Sequence, residues 1–274
     1  MTTLNFAKMH GLGNDFMVVD AISQNVNLAQ LPVTRLSHRH LGIGFDQLLL
    51  IEPSTTADFA CRILNADGSE AEQCGNGLRC VARYIVEKGL SKSSEFTIST
   101  KAGQYNASLL PDLQVQISMG LPNFEPALIP FLTPERKSHY DFKLKDDLSV
   151  QASVLSMGNP HVVLEVASVA DFPVRDVGKQ ISEHRAFPQS TNVGFMEIID
   201  RSQIRLRTFE RGTGETHSCG SNACAAVVAG IMHNKLDTQV KVLLKFGELT
   251  VAWPEKTKPV LMTGPAIHIF DGTL

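Results

Sequence analysis

Tryptophan occurs once and tyrosine three times in 274 residues, and no basic run is present. Lysine plus arginine number 25 against 28 aspartate plus glutamate, a net charge of −3. A chain without a positive stripe has no electrostatic footprint for nucleic acid. The longest apolar run, 223–232, is broken by Gly230 and is too short to span a bilayer. The first eleven residues lack the apolar core of a secretory signal. Cysteine is scarce and odd in number, five in all, in a chain large enough to need no disulfide staples. No C-x₂-C pair is present to start a zinc site or a thioredoxin-type redox site. Gly11-Leu12-Gly13 precedes a strand pattern rather than a helix, so it is not a dinucleotide fingerprint. The H-x-H in Ser37-His38-Arg39-His40 is not assigned to a metal, and no lysine is marked as a pyridoxal phosphate anchor. These absences lead us to expect a soluble, reduced, cytoplasmic protein.

What is present is a repeat. Glu72-Gln73-Cys74-Gly75-Asn76-Gly77 and His217-Ser218-Cys219-Gly220-Ser221-Asn222 lie 145 residues apart, and each opens an apolar segment of helical length. The same spacing aligns Gly13-Asn14 with Gly158-Asn159, Asn65 with Glu210, and Glu70 with Glu215. Near the end of each half it slips to 144, matching Lys101-Ala102-Gly103 with Lys245-Phe246-Gly247 and Gly120 with Gly264. Neighbours that keep register with the cysteines indicate a duplicated domain.

Periodicity gives both halves one order of elements: a strand pair at a Gly-Asn turn, a short helix, two strands, the cysteine loop, a long helix and closing strands. The long helices are expected at 76–88 and 221–234. They are apolar nearly all round, which predicts burial. In the first, Arg79, Arg83 and Glu87 recur at i, i+4 and predict one narrow polar stripe. The expected class is α+β, with two pseudo-twofold-related, strand-rich domains, each wrapped around a central helix, and an active site in the cleft between them. The domains are drawn at 1–120 and 121–264, the second including a crossover punctuated by prolines 122, 126, 130 and 134. Residues 265–274 are expected to return as a strand to the first domain, because 266–270 alternates like one.

Two thiols in one repeated context suit proton transfer at an amino-acid Cα. Inversion removes a proton from one face and delivers one to the other, and two fixed groups do this without a base swinging round. A thiol with an ordinary pKa of about 8.5 reaches both states near neutral pH, and a helix N-terminus favours its anion. Backbone N–H groups at Gly75-Asn76 and Gly220-Ser221 are helix-start donors, able to oppose charge that builds on a substrate carboxylate. A free cysteine is ordinarily a small buried hydrophobe. That role is assigned to Cys61, Cys80 and Cys224, which lie within strand or helix patterns.

Nine segments carry a family resemblance. They are 10–16, 44–47, 65–69, 73–77, Met157-Gly158-Asn159-Pro160-His161, Thr191-Asn192-Val193-Gly194-Phe195, Phe209-Glu210-Arg211-Gly212, Cys219-Gly220 and 264–266. Together they resemble diaminopimelate epimerase. The resemblance implies interconversion of LL- and meso-2,6-diaminopimelate without pyridoxal phosphate or metal, in lysine biosynthesis and peptidoglycan precursor supply. It implies that Cys74 and Cys219 are the acid/base pair and that His161 and Glu210 tune them. It also implies that Asn14, Gln47, Asn65, Gly75, Asn76, Asn159, Asn192, Glu210, Arg211, Gly220 and Ser221 bind substrate. Asn222 departs from the glycine common in that family, and a small effect on the helix's first turn is expected. The implied partner is a small amino-acid substrate, with no nucleic acid, no membrane, and a homodimer allowed.

The residues read alone agree. Diaminopimelate has two zwitterionic ends, and the unreactive one needs a carboxylate clamp such as Arg211, an ammonium acceptor such as Glu210, and neutral amides. A proline or hydroxyproline racemase is the nearest rival, although its single centre leaves the extra arginine and amides unexplained. A thiol redox protein and a domain that only binds an amino acid are the rivals from other classes.

Overall fold

The computed structural model describes residues 3–145 and 147–274. Contacts divide the chain into unit 1, Met1–Ser118 with Thr263–Leu274, and unit 2, Met119–Met262.

In unit 1, β1 (Asn5–Gly11) and β2 (Asn14–Asp20) form an antiparallel hairpin. The two turn residues, Leu12 and Gly13, have φ of 55° and 85°. Positive φ at both central positions matches the right-handed twist of the flanking strands. A crossover through the short helix α1 (Val33–Ser37) brings β3 (Gln47–Glu52) parallel to β2. β4 (Phe59–Asn65) returns antiparallel, and β5 (Glu70–Ala71) folds back on it. Helix α2 (Gly75–Glu87) then crosses to β6 (Glu95–Thr100), parallel to β4, followed by β7 (Gly103–Leu109) and β8 (Val115–Ser118). Helix α2 contacts strands from both ends of this sheet, β1 and β2 as well as β7 and β8, so the sheet curls around it. On the opposite face, Met17, Val19, Leu48 and Leu50 pack with Val33 and Phe45 near α1. A central strand covered on both faces reads as a continuous apolar run, and Phe16 to Val19 is one.

Unit 2 repeats this plan. β9 (Tyr140–Lys143) and β10 (Ser149–Ser156) pair antiparallel, as do β10 and β11 (Pro160–Glu165). Helix α3 (Val174–Ser182) leads to β12 (Asn192–Asp200), parallel to β11, then to β13 (Gln203–Glu210) and the short β14 (Gly214–Thr216). Helix α4 (Gly220–Met232) crosses to β15 (Gln239–Leu244), parallel to β13, followed by β16 (Gly247–Ala252); the division between the units falls within β17 (Leu261–Gly264). Every residue of α4 from Gly220 to Gly230 is buried.

The duplication extends to the backbone. Gly13 and Gly158 both have positive φ, 85° and 91°. Both long helices end in the same motif: the N–H of Leu90 returns to Ile85 O, and that of Lys235 to Gly230 O. The left-handed residue there is Gly89 in one and Asn234 in the other, the two residue types that tolerate this conformation best.

The last strand, β18 (Ile267–Thr273), pairs antiparallel with β1 in unit 1, as β9 pairs with β10 in unit 2. The alternation of 266–270 does not sort into one covered and one open face. Ile267, Ile269 and Phe270 are 39%, 50% and 48% exposed, because β18 is held by its backbone edge and a register shift follows Lys8. The long helices each start and stop one or two residues earlier than periodicity predicts, since the cysteine itself is the N-cap and not a loop residue before it. The polar stripe of α2 is present and has a partner. Arg79 is fully buried, with Nε donating to Pro265 O at 3.2 Å. Arg83 donates to Ala266 O and pairs with Glu87 at 2.6 Å, and His268 reaches Glu87 at 3.2 Å. The stripe faces the returning tail segment, with Arg79 fully covered and Arg83 half-buried. No helix among the described residues is long and apolar enough to cross a membrane.

Candidate active site

Cys74 occupies the N-cap of α2 in extended backbone, φ −149° and ψ 107°, and its sulfur accepts the Gly77 N–H at 3.4 Å. The thiol donates to Asn14 Oδ1 at 3.6 Å, and Asn76 Nδ2 donates to the same oxygen at 3.3 Å. Asn14 Nδ2 in turn donates to Asp46 Oδ2 at 2.9 Å. Arg39 binds Asp46 and Asp15 together, and Lys8 also reaches Asp15. Burial alone would raise the Asp15 carboxyl, but the hydrogen bonds from Arg39 and Lys8 outweigh it and hold it at about 2. Asn14, Cys74 and Asn76 are thus tied into one network. Gln47 and Asn65 form a second pair, directly opposite each other on β3 and β4, with Gln47 Nε2 donating to Asn65 Oδ1 at 2.9 Å. Gln47 Oε1 is buried without a protein hydrogen-bond partner.

In unit 2, Cys219 caps α4 with φ −132° and ψ 113° and is buried. Its Sγ lies 3.4 Å from Ser221 Oγ. Burial pushes this thiol well above its usual range, and the Glu210 carboxylate pushes it further, while the Ser221 hydroxyl and the Asn222 N–H act against both. Glu210 ends β13 and accepts from Thr216 Oγ1. Asn192 Oδ1 accepts the backbone N–H of Arg211 at 3.0 Å, and Asn192 sits opposite His161 across β11 and β12. His161 Nε2 meets Asn159 Oδ1 at 2.9 Å. Gly220 and Ser221 form the buried first turn of α4. Cys61, Cys80 and Cys224 are buried, as expected of structural thiols, and burial raises the first two well out of the reactive range, Cys80 to about 12.

His161 has no exposed surface, and burial, assisted by the Arg211 charge, lowers it to about 3. It is therefore neutral through the working range and holds Asn159 as a hydrogen-bond partner, not as a charged group. A histidine whose folded pKa is depressed adds stability that is full above its unfolded value and lost as pH falls, because the unfolded chain then binds the extra proton. The window runs from about 6.5 down to about 3. His161→Gln is accordingly expected to flatten this acid loss. Urea melts at pH 7 and pH 5 should show the native protein losing about 2 kcal/mol more than the variant. Equal losses would show that His161 is not buried neutral.

Sequence reasoning missed Arg79, which it placed on a polar stripe, and Asp15, Arg39 and Asp46, which anchor Asn14. The signal for Asp15 and Asp46 was present only as charges within the Gly13-Asn14-Asp15 and Gly44-Phe45-Asp46 segments, and Arg39 lay inside the H-x-H segment 37–40.

The diaminopimelate epimerase family model matches residues 6–125 and 153–269, both cysteine loops included. A diaminopimelate epimerase of Nitrosomonas europaea is 47% identical over 272 residues, covering 99% of this chain and 98% of that protein. One from Teredinibacter turnerae is 48% identical over 271 residues, covering 98% of each. Among solved structures, a hydroxyproline epimerase from Agrobacterium vitis superposes with a TM-score of 0.71 at 14% identity, covering 99% of this chain and 92% of that one. A PhzF-family phenazine biosynthesis protein from Enterococcus faecalis gives 0.69 at 15% identity, covering 100% and 99%. These structural likenesses show the shared two-domain, strand-rich fold. With near-complete coverage at almost half identity and both cysteine loops within the matched residues, the chain belongs to the diaminopimelate epimerase family.

Proposed function

We propose that this protein interconverts LL- and meso-2,6-diaminopimelate, with Cys74 and Cys219 as the base and acid that remove and redeliver the Cα proton. The observation that carries the reading is the repeat-related pair of thiols, each capping a buried helix, in a chain of this family. The thiolate takes the proton, the electron pair stays on Cα and spreads into the carboxylate, and the opposite thiol supplies a new proton. Helix-start N–H groups at Gly75-Asn76 and Gly220-Ser221 oppose the charge on that carboxylate. Arg211 suits the distant carboxylate and Glu210 the distant ammonium, with Asn14, Gln47, Asn65, Asn159 and Asn192 as neutral amides that check geometry. The Asn14 network supports this reading, since an amide pinned by Asp46 presents a fixed edge beside Cys74. The substrate is a free cytoplasmic amino acid of lysine biosynthesis and peptidoglycan precursor supply.

The test is incubation with LL-diaminopimelate in D₂O without added pyridoxal phosphate or metal. The meso product should appear with deuterium at the inverted Cα. Parallel arms with L-proline and trans-4-hydroxy-L-proline should show no exchange. Exchange in a proline arm but not with diaminopimelate would replace this reading with the racemase.

A further inference from the structure

The two cysteine loops are alike in backbone and unlike in charge. A step of 145 residues from unit 1 to unit 2 exchanges Asn65 for Glu210 and Arg79 for Cys224. The first exchange sets a carboxylate against the second thiol. The second removes a cation from the helix, because Cys224 is a fully buried thiol where α2 carries a fully buried guanidinium. Arg79 is fixed from several sides. Nη2 donates to Asn76 Oδ1 at 2.9 Å, Nη1 to Gly75 O at 3.4 Å, and Nε to Pro265 O at 3.2 Å. A full positive charge therefore sits in the first two turns of α2, adding to the partial charge of the helix start.

The geometry points to Arg79 as a positioning residue that keeps Cys74 as the resting thiolate, which leaves Cys219 as the resting thiol. This rests on the two-thiol reading above and assigns the resting roles within it. A buried cation is screened far less than a surface one, so it acts on the sulfur across a turn of helix. The Gly77 N–H, 3.4 Å from Sγ, remains a donor once the thiol has lost its proton. Arg79 also draws on Asn76, whose amide occupies the Asn14 oxygen that would otherwise hold the thiol proton more strongly.

The other titratable neighbours do not reverse the sign. Cys61 on β4 and Cys80 on α2 act on Cys74 but are kept neutral by burial. Asp46, bonded to Asn14, is paired with Arg39 at 2.7 Å. Around Cys219, burial and Glu210 both oppose the anion, and only Ser221 and the Asn222 N–H favour it. In the first half-reaction Cys74 takes the Cα proton and becomes a thiol, while Cys219 gives its proton to the opposite face and becomes a thiolate. The free enzyme is thus set for the isomer whose Cα–H faces Cys74, and solvent exchange resets it after turnover.

The experiment is alkylation by iodoacetamide across pH, without substrate, read peptide by peptide by mass spectrometry. In the native protein the Cys74 rate should reach half its plateau at least one pH unit below that of Cys219. In Arg79→Met the Cys74 midpoint should rise by at least one pH unit, while Cys219 stays put. Arg79→Lys, which keeps charge but loses the fork, should recover part of the shift, as a merely structural role would not. An unmoved Cys74 midpoint in Arg79→Met overturns the proposal. Should neither variant fold, the native profile decides, and Cys219 titrating at or below Cys74 overturns it. Because no turnover is read, failure here leaves the D₂O result standing, and failure there leaves these midpoints standing.

Discussion

Replacing either Cys74 or Cys219 by alanine should lower kcat for epimerisation by about 10²–10⁴-fold, the range for loss of a positioned acid or base. Both thiols are needed in each direction, since one removes a proton while the other supplies one. The loss should therefore be of similar size in both variants and should not be rescued by more substrate. The fold should survive. Each cysteine is an N-cap whose helix is held by burial along nearly its whole length; the Cys74 sulfur makes a weak cap bond, whose loss costs only about 1 kcal/mol, and Cys219 makes no side-chain cap bond to lose. Cys80→Ala and Cys224→Ala are the matched controls, removing fully buried thiols further along the same helices. They should cost stability and leave kcat nearly unchanged. Coupled assays of LL to meso conversion with circular dichroism melts separate the two effects. Near-native turnover in either Cys74→Ala or Cys219→Ala would remove the proposed mechanism.

Gly194→Ala should be nearly as damaging without touching a reacting group. A Cβ built on Gly194 would lie 2.4 Å from Asn222 Oδ1, closer than real Cβ contacts come. Asn222 has little room to swing aside, because it is fully buried in the first turn of α4. The clash is relieved by moving the turn that Cys219 caps. Overpacking of this kind costs about 1–3 kcal/mol, and a shift of about 1 Å in a reacting group costs about 10²-fold in rate. Asn222→Gly alone should change kcat little and destabilise by about 1 kcal/mol, since Asn222 Nδ2 and Oδ1 have no protein partner to lose. The double variant should recover most of the activity lost in Gly194→Ala. This non-additive pattern follows only if the two side chains compete for one space. A double variant no better than Gly194→Ala would show that the damage arises elsewhere.

The elements legible in the sequence were those that repeat. Cys74 and Cys219 declare themselves because their neighbours keep register, and the structure places both at helix N-caps. Segments shorter than a pattern were not legible. β5 has two residues and β14 three, too few for alternation to register, and β9 lies beyond the proline-punctuated stretch that was read as connection. Arg79 shows a different limit. Spacing of i, i+4 establishes which face of α2 it shares with Arg83 and Glu87, but not what covers that face. The cover is Pro265 and Ala266, nearly two hundred residues away in sequence. His161 is similar: nothing local distinguishes a fully buried neutral ring from a half-exposed one, and its state is set by the strands around it. The charge inequality between the halves was visible in the letters, but its meaning needed the depth at which Arg79 lies.

The strand β18 that closes the edge of β1 is translated after all of unit 2. On the ribosome, the first-made half therefore emerges with one sheet edge open, and with Arg79 and Arg83 lacking carbonyls that they later bind. At about 5–20 residues per second that interval is on the order of ten seconds or more. The later half is one continuous stretch carrying its own edge strand, β9, and can close as soon as it is made. Order of synthesis and order of completion are thus inverted, and the nascent amino-terminal half is the part of this chain that chaperones would meet unfinished.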